Sequence, residues 1–253
     1  MPHLDRGGVR VWYEARGAGP SVLLTHGYSA TGRMWAPQIR GLADRYRLIV
    51  WDIRGHGESD SPEDPAEYSE TLSVEDMAAI LDACGAERAA IGGLSLGGYL
   101  SLAFHLAHPE RTTSLLLCDT GPGYRNDEAR EKWNRMAESF ARGLEDKGLA
   151  SLGSGVEVRA AQHHSAKGLA AAARGILKQN DARVIDSLPS IRVPAIVVWG
   201  ERDEAFAKPG EYMAMKIPGA KKVVIPEAGH AANLDQPEAF NAAVLDFLQS
   251  AVR

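Results

Sequence analysis

The chain has 253 residues, 45% of them hydrophobic and 24% charged, with 26 Gly and 13 Pro. That length can bury roughly three quarters of the surface an unfolded chain exposes, and the composition excludes disordered, collagen-like and coiled-coil classes. A formal net charge of −5 leaves no basic footprint for nucleic acid. Cys84 and Cys118 stand far apart and outside any C-x-x-C pattern, which argues against a disulfide framework or a structural zinc site.

Residues 1–8 lack a basic stretch followed by an apolar one, so no signal peptide is read there. Residues 9–14 alternate as a short strand, closed by the turn at 17–20. Residues 21–25 read as a strand, 34–43 as a helix and 47–52 as the next strand. A helix follows over 71–84 and stops at Gly85. Residues 89–93 form a strand, 96–108 a helix that ends before Pro109, and 114–118 another strand. After a long interval the alternation resumes with 195–200, 212–216, 223–225 and 238–251. Short apolar strands separated by helices predict an α/β fold, a parallel sheet covered on both faces. Apolar runs such as 115–118 and 195–199 fall far short of the ~20 residues that span a bilayer. A cytoplasmic chain that engages neither membrane nor nucleic acid is the expectation.

Between the strand at 114–118 and that at 195–200 no strand pattern occurs. Residues 127–147 and 168–177 read as helices, separated by the Ser/Gly-rich 151–155. A structureless loop of that length is improbable, so the segment is expected to be an inserted helical subdomain. Ligands of α/β sheets bind beyond the carboxyl ends of the strands, and an insertion leaving from such an end would lie over that site.

Gly93-Leu94-Ser95-Leu96-Gly97 matches G-x-S-x-G directly after one predicted strand and before a helix. In that setting the serine is a nucleophile held above the sheet on a tight turn, with the glycines making room for strand and helix. A purely structural role, in which Ser95 caps the helix, is the competing reading. Ser151 also lies among glycines, but in a linker of the insertion. A serine nucleophile needs a base, and the base an orienting group. His230 follows the last predicted strand and so stands at the same sheet edge as Ser95. His105 and His108 lie along the helix after the turn and are expected to be solvated; His163 and His164 belong to the insertion, and His3 is terminal. Asp203, after the strand 195–200, completes the chain order Ser…Asp…His, with Asp119 as the alternative acid and Glu201 and Glu204 as surface residues. The backbone N–H groups of Leu96 and of Tyr28, in the loop after residues 21–25, are the candidate oxyanion donors.

These pieces resemble the α/β-hydrolase superfamily along nearly the whole chain. They are His26-Gly27, Asp52-x-Arg54-Gly55-His56-Gly57-x-Ser59, the turn at Ser95, Gly200-x-x-Asp203, and Gly229-His230 followed by Pro237-Glu-x-Phe240. The resemblance implies a core of residues 1–121 and 189–253 with a helical cap, 122–188, inserted after the sixth strand. It makes the 52–59 segment a structural loop. Within the superfamily the chain is similar to small-substrate carboxylesterases and 3-oxoadipate enol-lactone hydrolases. A serine nucleophile speaks against dehalogenases and epoxide hydrolases, and His-Gly-Tyr against the esterases with His-Gly-Gly-Gly.

The implied activity is hydrolysis of small carboxylic esters through an acyl-enzyme, with no cofactor and no metal. A lactonase using the same residues is the alternative, and its substrates' carboxylate would call for Arg125, Arg130 or Arg135 in the cap. A member that binds a small signalling ligand with little turnover is the third reading. Trp35, Trp133, Phe140 and Phe206, with Tyr28, are the aromatic candidates for an apolar acyl or aryl pocket. A dinucleotide-binding fold is excluded because no G-x-G-x-x-G follows the first buried strand.

Overall fold

Eight strands form one sheet in the computed structural model, which describes residues 2–251. They are β1 (His3–Asp5), β2 (Arg10–Arg16), β3 (Ser21–Thr25), β4 (Arg47–Trp51), β5 (Ala89–Leu94), β6 (Thr112–Cys118), β7 (Ala195–Gly200) and β8 (Lys221–Ile225). Their order is β1-β2-β4-β3-β5-β6-β7-β8. β1 and β2 pair antiparallel, as do β2 and β4, and the remaining pairs are parallel. The expected α/β-hydrolase architecture is what the chain adopts.

Alternation along the strands explains the layers. In β4, Leu48 and Val50 pack on one side of the sheet and Ile49 and Trp51 on the other, all buried. A strand apolar on both faces must be covered on both. Among the described residues ten α-helices supply the cover and the segment between β6 and β7: α1 (Ala36–Leu42), α2 (Glu70–Ala83), α3 (Leu96–Ala107), α4 (Asp127–Lys147), α5 (Val156–Arg159), α6 (Ala166–Ala172), α7 (Arg183–Ser187), α8 (Glu204–Lys216), α9 (Ala232–Asp235) and α10 (Pro237–Ala251). α1 and α10 bring Leu42, Phe240, Val244 and Phe247 to the Leu48–Val50 face. α2, α3 and α8 bring Met77, Leu100, Phe104 and Met213 to the other. Each such side chain contributes about 1.5–3 kcal/mol when fully buried.

Several elements depart from the sequence expectation: the short helices α5, α7 and α9 are additional to it, and the helix expected at 168–177 is α6 (Ala166–Ala172) followed by a π turn at Ala173–Leu177. β1 is a three-residue edge strand, too short to show a period. The helix expected at 34–43 begins as a 3₁₀ turn at Gly32–Trp35 and becomes α-helical only from Ala36. α8 starts eight residues before the expected 212. Pro209 and Gly210 mask its pattern, yet the Asp203 side chain caps its N-terminus by accepting from Phe206 N–H. A Cβ at Gly210 would come 2.7 Å from the Trp199 ring, so glycine permits α8 to lie against β7.

The segment between β6 and β7 contributes α4 to α7. It has a small apolar cluster of its own, Ala141, Leu144, Leu169, Ala170 and Ala173, with Tyr28 packed against it from the β3 side. No helix among the described residues is long and apolar enough to cross a membrane.

Candidate active site

Ser95 joins β5 to α3 with φ 55° and ψ −116°, a conformation costly for any residue with a Cβ. The neighbouring chain dictates this geometry. A Cβ at Gly97 would stand 2.1 Å from the Thr25 carbonyl oxygen, and one at Gly93 would stand 2.4 Å from the Gly97 carbonyl carbon. Only glycine allows β5, α3 and the end of β3 to converge there. Ser95 N–H donates to Cys118 O (3.0 Å), and Ser95 O accepts from Thr120 Oγ1 (2.5 Å). The four non-glycine residues with positive φ among those described are Ser29, Ser95, Asp119 and Glu227. They follow β3, β5, β6 and β8, so backbone strain concentrates at the carboxyl edge of the sheet.

Asp203 is 5% exposed and divides its carboxylate between two tasks. Oδ1 caps α8, and Oδ2 accepts the His230 Nδ1–H at 2.8 Å. That bond puts the proton on Nδ1 and leaves Nε2 as an acceptor. The Phe206 ring stacks on the imidazole with centroids 5.0 Å apart. Asp119, the alternative acid, accepts from Gly200 N–H through Oδ1 (2.8 Å) instead. Burial holds its carboxyl well above the usual carboxylate range, and the nearby Asp203 charge adds to the effect. Ser95 and His230 line the same cavity, with no hydrogen bond between their side chains among the described residues. Such contacts are often long before substrate arrives.

The loop after β3 reaches Ser95 through Gly27, where a Cβ would lie 3.4 Å from that of Ser95. The N–H groups of Tyr28 and Leu96 donate to no protein acceptor among the described residues. Three histidines hold this loop. His26 donates from Nδ1 to Gly27 O (2.7 Å) and accepts Ile53 N–H at Nε2 (3.0 Å). Neutrality is built into that pair of bonds, and burial lowers the His26 pKa to about 3. His56 accepts Ser29 N–H at Nε2 (3.3 Å). His163, from the segment between β6 and β7, donates to Ser29 O (3.0 Å) and accepts Gly57 N–H (3.2 Å). Burial lowers the pKa of both. Ser29, at φ 59°, is thus clamped from both sides. The 52–59 loop is braced likewise. Asp52 accepts from Gly32 N–H (2.7 Å) and Glu58 N–H (2.9 Å), and the buried Arg54 pairs twice with Asp76 (2.7 and 3.0 Å).

The cavity holds about 390 Å³. Trp133, Phe140 and Phe206 line it, with Tyr28 and Leu96. Trp133 Nε1–H donates to Leu177 O (2.9 Å), and Phe140 stacks on Tyr28 at 6.1 Å. Trp35 does not line it. Its ring is fully buried in the apolar layer beneath α1 and α10, 6.3 Å from Phe240. The 3₁₀ turn that carries Trp35 aims it into the core layer beneath α1. Arg125, Arg130 and Arg135 are also absent from the lining and pair with Asp186, Asp127 and Glu131 on helix surfaces. His105 and His108 are half-buried rather than solvated, His105 with its Nδ1 lacking a partner and His108 bonded to Glu75 (3.1 Å). Sequence reasoning missed Tyr99, Thr120, Glu157 and Gln179, all in the lining. None belongs to a motif, and only the fold brings them to the cavity.

Comparison with known proteins agrees with this architecture. Residues 22–243 match the alpha/beta hydrolase family. A thermophilic esterase from Thermogutta terrifontis superposes with a TM-score of 0.83 at 30% identity, covering 99% of each chain. The enol-lactonase from Burkholderia xenovorans LB400 superposes with a TM-score of 0.79 at 26% identity, covering 98% of this chain and 100% of that one. A Bacillus subtilis protein, provisionally named a 2-succinyl-6-hydroxy-2,4-cyclohexadiene-1-carboxylate synthase, is 31% identical over 94% of this chain and 93% of its own length. The chain belongs to the α/β hydrolase family, and it is a hydrolase similar to esterases and enol-lactonases.

Proposed function

We propose that the protein is a serine hydrolase that cleaves small carboxylic esters through an acyl-enzyme on Ser95. The observation that carries this reading is the strained Ser95 facing the same cavity as an imidazole that Asp203 holds at 2.8 Å. Ser95 Oγ attacks the ester carbonyl carbon while His230 Nε2 takes its proton. Asp203 keeps the proton on Nδ1 and stabilises the imidazolium that forms. The developing oxyanion accepts from Tyr28 and Leu96 N–H; losing one such donor typically costs about 10²–10³ in rate. Collapse expels the alcohol, which takes the proton from His230. Water then attacks the acyl-Ser95 carbonyl with His230 as base, and the acid leaves with Ser95 restored. The segment 122–188 acts as a cap that walls the cavity.

Lactone opening uses the same steps, and the similarity to an enol-lactonase keeps it as the second reading. The family leaves the substrate open, because fold fixes the apparatus and not the specificity. Initial rates on p-nitrophenyl acetate through decanoate, beside a small lactone panel, separate the two, with Ser95→Ala and fluorophosphonate labelling as controls. Short esters cleaved fastest, with Ser95 labelled, supports the esterase. Lactones opened with esters untouched makes it a lactonase. Failure to label Ser95 would overturn both.

A further inference from the structure

The cavity's polar inventory is unusual for a site that binds organic acids. No lysine or arginine lines it. Its one carboxylate, Glu157 of α5, is half-buried and pairs with no lysine or arginine among the described residues. A carboxylate on the substrate would find no counter-charge there and would meet a like charge. The walls are otherwise mostly apolar and aromatic, with one buried exception.

Gln179 is 7% exposed and lines the cavity. Its backbone is fixed by Asn134 from both sides. Gln179 N–H donates to Asn134 Oδ1 (2.8 Å), and Asn134 Nδ2–H donates to Gln179 O (2.8 Å). Its carboxamide, in contrast, bonds to nothing among the described residues, and Oε1 is buried without a partner. Gly123 makes room for it: a Cβ there would come 2.9 Å from Oε1. The other buried polar side chains of the lining are occupied, Tyr99 by Glu70 (2.7 Å) and Thr120 by Ser95 O (2.5 Å). A buried amide left unpaired needs a reason. An amide offers one acceptor and two donors, and its complement is an uncharged group that also both donates and accepts.

We infer that this hydrolase takes uncharged substrates carrying an amide or hydroxyl group, which the Gln179 carboxamide recognises. The inference rests on the serine-hydrolase reading above and adds to it a substrate class and a specificity residue. It also sets the protein apart from lactonases whose substrates bear carboxylates.

The test is pH-stat hydrolysis of shape-matched esters. In the acyl series these are methyl 4-methylpentanoate, methyl succinamate and monomethyl succinate, which share one outline and differ in the terminal group. In the alcohol series they are 4-methylpentyl acetate and 2-acetamidoethyl acetate. Wild type and Gln179→Met are compared by kcat/KM, with Ser95 labelling by fluorophosphonate run alongside. In at least one series, the ratio of amide ester to apolar ester should fall about tenfold or more in Gln179→Met, as a site built around a hydrogen bond discriminates by its loss. Monomethyl succinate should be cleaved about tenfold or more slowly than methyl succinamate by wild type. Ratios unmoved in both series overturn the inference, since a merely structural Gln179 would lower every substrate alike. Preference for the anion overturns it too. Absent Ser95 labelling marks failure of the underlying hydrolase reading, and the inference falls with it.

Discussion

Ser95 is held at φ 55° and ψ −116° by glycine contacts that leave its neighbours no freedom, so its Cβ is the source of a measurable cost. Strain of this kind costs about 1–3 kcal/mol. Replacing Ser95 by Ala keeps the Cβ and the strain; replacing it by Gly removes both. Glycine adds unfolded-state entropy, a loss of about 0.4–1 kcal/mol relative to Ala. Ser95 is only half-buried, so its Cβ contributes little packing beyond its contact with Gly27. Ser95→Gly should therefore be about 1 kcal/mol more stable than Ser95→Ala. For a chain of this size that is a rise of about 2–4 °C in Tm. Thermal unfolding of the two variants, followed by circular dichroism at one scan rate, reads the difference directly, and both should be inactive. A Ser95→Gly protein that melts at or below Ser95→Ala would refute the reasoning, because the turn would then impose no cost on a side chain.

Two further variants separate the acids. Asp203→Asn should lower kcat on p-nitrophenyl acetate by about 10⁴, the loss expected when the orienting carboxylate of a triad becomes an amide. Asp119→Asn should lower it by less than about tenfold, because Asn mimics the neutral acid that burial favours and can still accept from Gly200 N–H. His163 gives a pH signature. Burial lowers the His163 pKa in the folded chain below its unfolded value near 6.5, so His163 supports folding above that pH. The support is lost as pH falls through the folded pKa. The stability of wild type relative to His163→Gln should drop by up to about 1.4 kcal/mol per unit as pH falls below 6.5. Urea unfolding at pH 7.5 and pH 5 checks it, and a difference that does not change with pH contradicts the assignment of His163 as a neutral bridge.

Close approach of backbones was legible in the sequence because it requires glycine at fixed offsets. Gly93, Gly97 and Gly98 flank Ser95 for reasons the geometry makes plain, since Cβ atoms there would meet Gly97, Thr25 and Thr120 within 2.4 Å. The continuous apolar runs of β5, β6 and β7 likewise declared a sheet buried on both faces. Position relative to the strands placed Asp203 and His230 at one edge. What could not be read is which side of the sheet an aromatic from an irregular segment will take. Trp35 sits close in sequence to the loop that carries Tyr28, yet the 3₁₀ turn directs it under α10. Gln179 and His163 were equally hidden. Each gains its surroundings from residues far along the chain, Asn134 and Gly123 in one case, Ser29 and Gly57 in the other. Polar residues in a helical insertion carry no period and no motif to mark them.

On the proposed mechanism, the same contacts would tie substrate choice to chemistry. Tyr28, whose N–H is a proposed oxyanion donor, and its neighbour Ser29 are held to the proposed cap at three points. The Tyr28 hydroxyl donates to Leu169 O (2.9 Å), and the next residue, Ser29, receives the His163 N–H. The Tyr28 ring stacks on Phe140, which lines the cavity from α4. A cap that repacked to admit a different acyl group would pull on the strained Ser29 and shift the Tyr28 N–H with it. Sub-ångström misplacement of such a donor is expensive in the transition state. Substitutions at Phe140 or His163 should therefore change kcat together with KM, whereas substitution at the exposed Arg142, which touches none of these three contacts, should change both far less. On the proposed mechanism, three side-chain contacts would couple specificity to the loop that carries the Tyr28 donor, beyond the shape of the cavity alone.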